Sequence, residues 1–143
     1  MSTAHAPPKH IFIHCDGASR GNPGLAGAGA TLQDAEGRLV HEVARYLGHK
    51  TNNEAEYMAL ILALEAAHGL GAREVSVRCD SELMVKQMKG EYRVKHPNLK
   101  PLHAKVRILA GQFSHFDIRH VRREHNGEAD ALANRAIDER AEG

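Results

Sequence analysis

The sequence predicts a mixed α/β domain in which helices pack on a central sheet, and three observations carry that prediction. The chain has 143 residues, 42% hydrophobic and 26% charged, which is the size and composition of one unit with one buried core. Short segments that alternate apolar and polar residues at period two stand beside longer segments with helical periodicity. Gly, Pro and Asn fall between these segments as turn signals.

Residues 1–8 are expected to form a flexible tail, leaving 9–143 as a single domain. A first strand is predicted over Lys9 to Asp16, where Ile11, Ile13 and Cys15 alternate with Phe12 and His14. A Gly-rich turn follows over Gly17 to Gly24, punctuated by Asn22-Pro23-Gly24. Strands over Gly27 to Gln33 and Arg38 to Leu47 flank a turn at Asp34 to Gly37 and complete a three-strand meander. A long helix is predicted from Asn52 to about His68, capped by Thr51 or Asn52 and stopped by Gly69 and Gly71. Glu74 to Cys79 alternates as a fourth strand. Helices follow at Ser81 to Lys89 and about Asn98 to Ala110, with a loop over Gly90 to Pro97 between them. A strand at Phe113 to Arg122 and a helix at Gly127 to Arg140 end the order βββαβααβα.

The longest apolar run, Tyr57 to Leu64, is too short to span a bilayer, and the N-terminus lacks the pattern of a signal peptide. The expectation is a cytoplasmic monomer with no membrane association. Two cysteines without C-x-x-C spacing make neither a disulfide framework nor a standard zinc site. Charge is unevenly placed. Lys86 to Arg123 holds ten Lys and Arg against Glu91 and Asp117, while the remainder holds nine bases against sixteen acids. A basic segment of this kind points to a polyanionic partner, or to an ordinary solvated face.

Four carboxylates stand apart. On a helical wheel of 52–68, Glu54, Tyr57, Glu65 and His68 share one side, and Ala59, Leu60, Ala63, Ala66 and Ala67 share the other. Glu56 lies within the apolar side, where an ionised carboxylate requires a partner: a bound cation or a buried Arg. Glu54 reads as a surface acid favoured by the helix dipole. Asp16 and Asp80 each follow a Cys at the end of a strand. If those strands are parallel neighbours, both carboxylates project at the carboxyl edge, and Cys15 and Cys79 lie together on the opposite face as buried thiols. Asp80 has the alternative of capping the next helix. Asp130, in the first turn of the last helix, borders the apolar face made by Leu132, Ala133, Ala136 and Ile137.

Converging carboxylates repel without cations, and an all-oxygen cluster suits Mg²⁺ or Mn²⁺. No H-E-x-x-H, P-loop or third glycine of G-x-G-x-x-G is present, and no Ser or Cys nucleophile motif.

The segments Asp16-Gly17-Ala18-Ser19-Arg20-Gly21-Asn22-Pro23-Gly24, Thr51-Asn52-Asn53-Glu54-Ala55-Glu56, Asp80-Ser81 and Glu128-Ala129-Asp130-Ala131-Leu132-Ala133 resemble, in order and spacing, the motifs of type 1 ribonuclease H. The resemblance spans residues 9 to about 139. It implies a ribonuclease H-like, five-stranded mixed sheet, a three-strand meander plus two parallel strands, flanked by helices. It also implies endonucleolytic hydrolysis of the RNA strand of RNA/DNA hybrids, leaving 5′-phosphate and 3′-hydroxyl ends. Asp16, Glu56, Asp80 and Asp130 occupy the family's catalytic and metal-binding positions, for two Mg²⁺ or Mn²⁺ ions. Asn22, Asn52 and Asn53 match contacts in the hybrid's minor groove, and Thr51 matches a DNA-phosphate contact.

Phosphodiester hydrolysis needs an activated water and a neutralised leaving oxygen, which two cations about 4 Å apart supply, with Asp16 as their natural bridge. Selectivity for RNA needs a contact to the 2′-hydroxyl, and reading backbone and shape confers little sequence specificity. Two features depart from the family. The basic, Trp-containing protrusion is missing, its place taken by the short Glu91 to Pro97 segment. Lys86 and Lys89, with Arg93, Lys95, Lys100 and Lys105, are the substitutes for substrate binding. The connection Arg122 to Gly127 is compressed, so that the family's loop His, which assists product release, has no clean match; His125, or Glu124 in its place, is the candidate for that role, and a plain surface His is the alternative. The rival readings are a silent hybrid-binding module and a nuclease of the same fold acting on double-stranded RNA or DNA.

Overall fold

The computed structural model describes residues 9–140. The expected tail, residues 1–8, lies outside the described residues. In chain order the elements are β1 (His10–Gly21), β2 (Gly24–Gln33), β3 (Leu39–Lys50), α1 (Asn52–Gly69), β4 (Glu74–Cys79), α2 (Glu82–Met88), α3 (Lys100–Ala110), β5 (His115–His120) and α4 (Gly127–Asp138). A 3-10 turn at Arg123–His125 joins β5 to α4. The sheet has five strands in the order β3-β2-β1-β4-β5. β1, β2 and β3 form an antiparallel meander, and β4 and β5 run parallel to β1. This is the predicted mixed sheet.

The central strand sorts its side chains by parity. Ile11, Ile13 and Cys15 are buried in the core with Ala28, Ala30 and Leu32 of β2 and Val75, Val77 and Cys79 of β4. α1 covers this face. Cys15 and Cys79 are register partners, both buried and both free thiols, as the strand pattern requires. Phe12, His14 and Asp16 project to the other face, on which α4 packs against β2, β1 and β3.

Where the strands end differs from the sequence reading. The segment Gly17 to Gly24 is not a turn: β1 continues to Gly21 and pairs with β2 throughout, leaving only Asn22-Pro23 to reverse the chain. Gly17, like Gly27 and Gly29 of β2, serves close approach of a helix. A Cβ at Gly17 would stand 2.2 Å from the Ala55 carbonyl carbon and 2.3 Å from the Glu56 nitrogen, and one at Gly29 2.2 Å from the Ala129 oxygen. α1 and α4 therefore lie backbone to backbone on the sheet. β5 is shorter than predicted because its partner β4 offers six residues for pairing. α3 starts at Lys100 with Pro101 in its first turn, which places Asn98 in the preceding loop.

α1 also corrects the one-sided wheel. Tyr57, placed on its polar side, is 1% exposed, and its hydroxyl donates to Gln87 Oε1 at 2.6 Å. The helix is sandwiched between the sheet and α3, so burial extends over Ala55, Tyr57, Leu60, Ile61 and Leu64. Its start is a capping box. Thr51 Oγ1 accepts the Glu54 N–H at 3.1 Å, and Glu54 Oε1 accepts the Thr51 N–H at 2.9 Å. Glu54 is thus a structural cap rather than a solvated surface acid.

Gly17→Ala should destabilise the fold by about 1–3 kcal/mol or more, since backbone cannot retreat from the added methyl. Gly69→Ala, at the end of α1 with nothing within 4 Å of its Cβ position, should be neutral or stabilising by less than about 1 kcal/mol. Urea denaturation of the two variants checks this, and equal midpoints would refute the close-approach reading.

Candidate active site

The site follows from where the parallel ladder stops. The register of β1 with β4 ends at Cys15 and Cys79, so Asp16 and Asp80 stand at the same edge of the sheet. The contact of α1 with Gly17 brings the first turn of that helix across the edge and delivers Glu56. One carboxylate oxygen from each of Asp16, Glu56 and Asp80 lies within 4.8 Å of the others. From the other face, the first turn of α4 brings the Asp130 carboxyl into hydrogen-bonding reach of Asp16.

Asp16 is 5% exposed and Glu56 7%. Burial, then the charges of Asp80 and Glu56, push the Asp16 carboxyl up to about 9. Burial and Asp80 push Glu56 up to about 8, against an opposing pull from Arg123 and a hydrogen bond from Asn52. Glu56 Oε1 accepts from Asn52 Nδ2 at 3.4 Å, whereas Oε2 is buried without a partner. The alternative of a buried Arg beside Glu56 is not met. Arg123 is 87% solvent-exposed at its side chain and reaches Asp80 Oδ2 at 3.6 Å from its Nε. Nor does Asp80 cap α2, because the Ser81 hydroxyl accepts the Met84 N–H at 3.1 Å.

An all-oxygen donor set in which burial and neighbouring carboxylates push both Asp16 and Glu56 upward lacks positive charge and fits a hard divalent cation such as Mg²⁺ or Mn²⁺. The orphaned Oε2 of Glu56 is a ready ligand atom.

Asn22 and Asn52 lie beside this cluster. Asn22 Oδ1 accepts the Asn52 N–H at 3.1 Å, and Asn52 in turn holds Glu56. Asn53 is exposed next to them. Lys86 and Lys89 sit at the far end of α2. Lys86 Nζ lies 4.9 Å from the Tyr92 ring centroid and 3.9 Å from a Glu82 oxygen, so its charge is already engaged. Lys89 lines a 300 Å³ groove with Met88 and Arg107. His125 is exposed in the 3-10 turn and walls a 330 Å³ cavity with His14, Thr31, Gln33 and Glu124, a cavity that none of the four carboxylates lines.

Sequence reasoning did not single out Arg123, Asn126, His103 or Arg107. Arg123 and Arg107 were counted only as bulk charge. Asn126 carried one local signal, an N-cap residue directly before Gly127.

A five-stranded sheet in this order, with acidic residues gathered where β1 and β4 stop pairing, defines a ribonuclease H-like domain. A family model described as reverse transcriptase-like matches residues 14–136. The ribonuclease HI of Halobacterium salinarum is 43% identical over 129 residues, covering 90% of this chain and 65% of that protein. The bifunctional protein Rv2228c of Mycobacterium tuberculosis is 44% identical over 133 residues, covering 92% of this chain; the chain spans 36% of its length. Among solved structures, RNase H1 of Halobacterium salinarum superposes with a TM-score of 0.89 at 43% identity, covering 91% of this chain and 98% of that one. LC11-RNase H1 in complex with an RNA/DNA hybrid gives 0.87 at 45% identity, covering 92% and 99%. The chain belongs to the ribonuclease H family, on the type 1 branch.

The raised Asp16 carboxyl has a consequence for stability. Its contribution is fully present below the unfolded value near 3.8 and is lost as pH rises toward about 9. Without divalent ions, Asp16→Asn should therefore be more stable than the parent at pH 8 by about 0.5–2 kcal/mol, with the difference vanishing near pH 4. Urea midpoints in EDTA across that range test it, and an Asp16→Asn protein less stable than the parent at pH 8 would refute it.

Proposed function

We propose that the chain is a metal-dependent endoribonuclease that hydrolyses the RNA strand of RNA/DNA hybrids, leaving 5′-phosphate and 3′-hydroxyl ends, and that it works as a cytoplasmic monomer. The observation that carries this reading is the convergence of Asp16, Glu56 and Asp80 beside the Asn22 and Asn52 amides. That LC11-RNase H1, 45% identical, was solved with an RNA/DNA hybrid supports the substrate class. Asp16, Glu56, Asp80 and Asp130 would hold two Mg²⁺ or Mn²⁺ ions. When bound, the ions supply an activated water and neutralise charge on the leaving 3′-oxygen.

The remaining roles follow from the side chains. Asn22 uses its Oδ1 on the Asn52 backbone and keeps its Nδ2 free, while Asn52 uses its Nδ2 on Glu56 and keeps its Oδ1 free. One donor and one acceptor match a ribose 2′-hydroxyl, which both accepts and donates. Asn53 extends this amide surface. Thr51 Oγ1 accepts the Glu54 N–H, and its own proton remains to be donated to a phosphate of the DNA strand.

Electrostatic attachment is assigned mainly to the loop after α2 and to α3. Arg93, Lys100, His103 and Arg107 line a 570 Å³ groove with Tyr92, and Lys100, His103 and Arg107 follow one another at helical spacing. Lys105 is paired instead with Glu65 at 3.5 Å. This groove takes the place of the missing protrusion, with Lys89 at its margin and Lys86 bracing Tyr92. His125, or Glu124 beside it, would assist product release from the solvent side.

Labelled hybrid, duplex RNA and duplex DNA incubated with Mg²⁺, Mn²⁺ or EDTA provide the test. The RNA strand of the hybrid alone should be cut, and only with a divalent ion. Asp16→Asn should lower cleavage by several orders of magnitude while hybrid binding in Ca²⁺ persists. Glu54→Gln should keep its activity and lose about 0.3–1.5 kcal/mol of stability through its cap. Cleavage of duplex RNA would broaden the substrate class, and no cleavage by the parent would identify a silent binding module.

Replacing Arg93, Lys100 and Arg107 with Ala should raise KM more than it lowers kcat and reduce the log-log salt slope of binding by about 1 per residue. An unchanged slope would place the duplex elsewhere.

A further inference from the structure

We propose that Asn126 is a positioning residue of the active site, a tether that sets how far Asp130 stands from Asp16. The inference rests on the nuclease reading above, and its observations lie at the residue before Asp16 and at the amide of Asp130. Asn126 is 1% exposed, between the 3-10 turn and α4. Its side-chain Nδ2 donates to the carbonyl of Cys15 at 2.9 Å, a buried bond across 111 residues of sequence. Its main-chain oxygen accepts the N–H of Asp130 at 3.1 Å. One residue thus holds the peptide that leads into Asp16 and the amide of Asp130 itself.

The place of the bond is telling. Pairing of β1 with β4 ends at Cys15, so beyond this point β1 has lost its neighbour on that side. The Asn126 amide takes up the Cys15 carbonyl where the ladder stops, and ties the end of the ladder to α4. A second hold acts from further along α4. Asn134 Nδ2 donates to the Asp130 carbonyl at 3.0 Å, and Arg20 reaches Asn134 Oδ1 at 3.3 Å and Asp138 at 2.7 Å. These bonds fix Asp130 along the helix, and among the described residues it is Asn126, at the start of α4, whose side chain hydrogen-bonds to the residue beside Asp16.

Asn126 is not explained as a helix cap or as packing. Its side chain caps no N–H of α4, and its Oδ1 is buried with no partner. An apolar residue of similar volume would fill the space without an orphaned acceptor. What such a residue lacks is the donor to Cys15.

Two variants of the full chain test the tether. Asn126→Ser keeps a good N-cap residue but is too short to reach the Cys15 carbonyl, and Asn126→Asp keeps the shape without the donor. Both should bind hybrid in Ca²⁺ within about twofold of the parent. Their kcat per folded molecule should fall, or the Mg²⁺ concentration for half-maximal activity should rise, by about 10–100-fold, as for other residues that orient metal ligands. The rise in melting temperature that Mg²⁺ gives the parent should shrink, a readout independent of cleavage. Unchanged kcat and Mg²⁺ response alongside a lower urea midpoint would show a merely structural residue and overturn the proposal, as would failure of both variants to fold. A parent that is stabilised by Mg²⁺ yet cuts nothing would sink the nuclease reading instead, leaving the Mg²⁺ shift to decide the tether.

Discussion

Two helices rest on the sheet with no side chain between backbone and backbone, and the acidic cluster exists because they do. Gly17 admits the first turn of α1, and Gly29, the register partner of Asp16, admits the first turn of α4. A methyl group at either position would lift its helix by more than an ångström and carry Glu56 or Asp130 away from the strand. The contact is expensive in another sense, since it presses carboxylates together where Asp16 and Glu56 are almost wholly buried. Core burial around Ile13, Leu60, Leu64 and Val77 holds the elements against that repulsion. The protein spends part of its stability on bringing these carboxylates together.

The same glycines show why the sequence was legible in some places and misleading in others. β4 could be read to the residue, because Val75, Val77 and Cys79 alternate and the segment is bounded on both sides. Asp16, Glu56 and Asp80 were visible because each violated its context: two directly after alternating apolar runs and one on an apolar helical face. Gly17 to Gly24 was misread because glycine signals a turn and a close approach with the same letter, and only the partner helix distinguishes them. Tyr57 was misplaced because a wheel assumes one buried side, whereas α1 has the sheet beneath it and α3 against it. Asn126 offered the signal of an N-cap residue before Gly127 and nothing that pointed to Cys15. Its role is a single bond to a carbonyl 111 residues away, which no local pattern encodes.

Charge behaves similarly. The excess of Lys and Arg between Lys86 and Arg123 was countable, but the count did not separate engaged cations from free ones. Lys86 stacks on Tyr92 and Lys105 pairs with Glu65, while Arg93, Lys100 and Arg107 line an open groove. Geometry, not composition, tells them apart.

α4 is the element that makes its contacts on the face of the sheet away from α1, α2 and α3, resting on β1, β2 and β3. Three of the four carboxylates belong to the larger body that includes β1, β4 and α1, and the fourth belongs to this separately seated helix. Undocking of α4 would leave the principal core and the Asp16, Glu56 and Asp80 cluster in place while removing Asp130. The four carboxylates are therefore contributed from both faces of the sheet, and their convergence depends on α4 staying docked. In amide exchange, that dependence would be seen as α4 opening at lower free energy than β1 and α1.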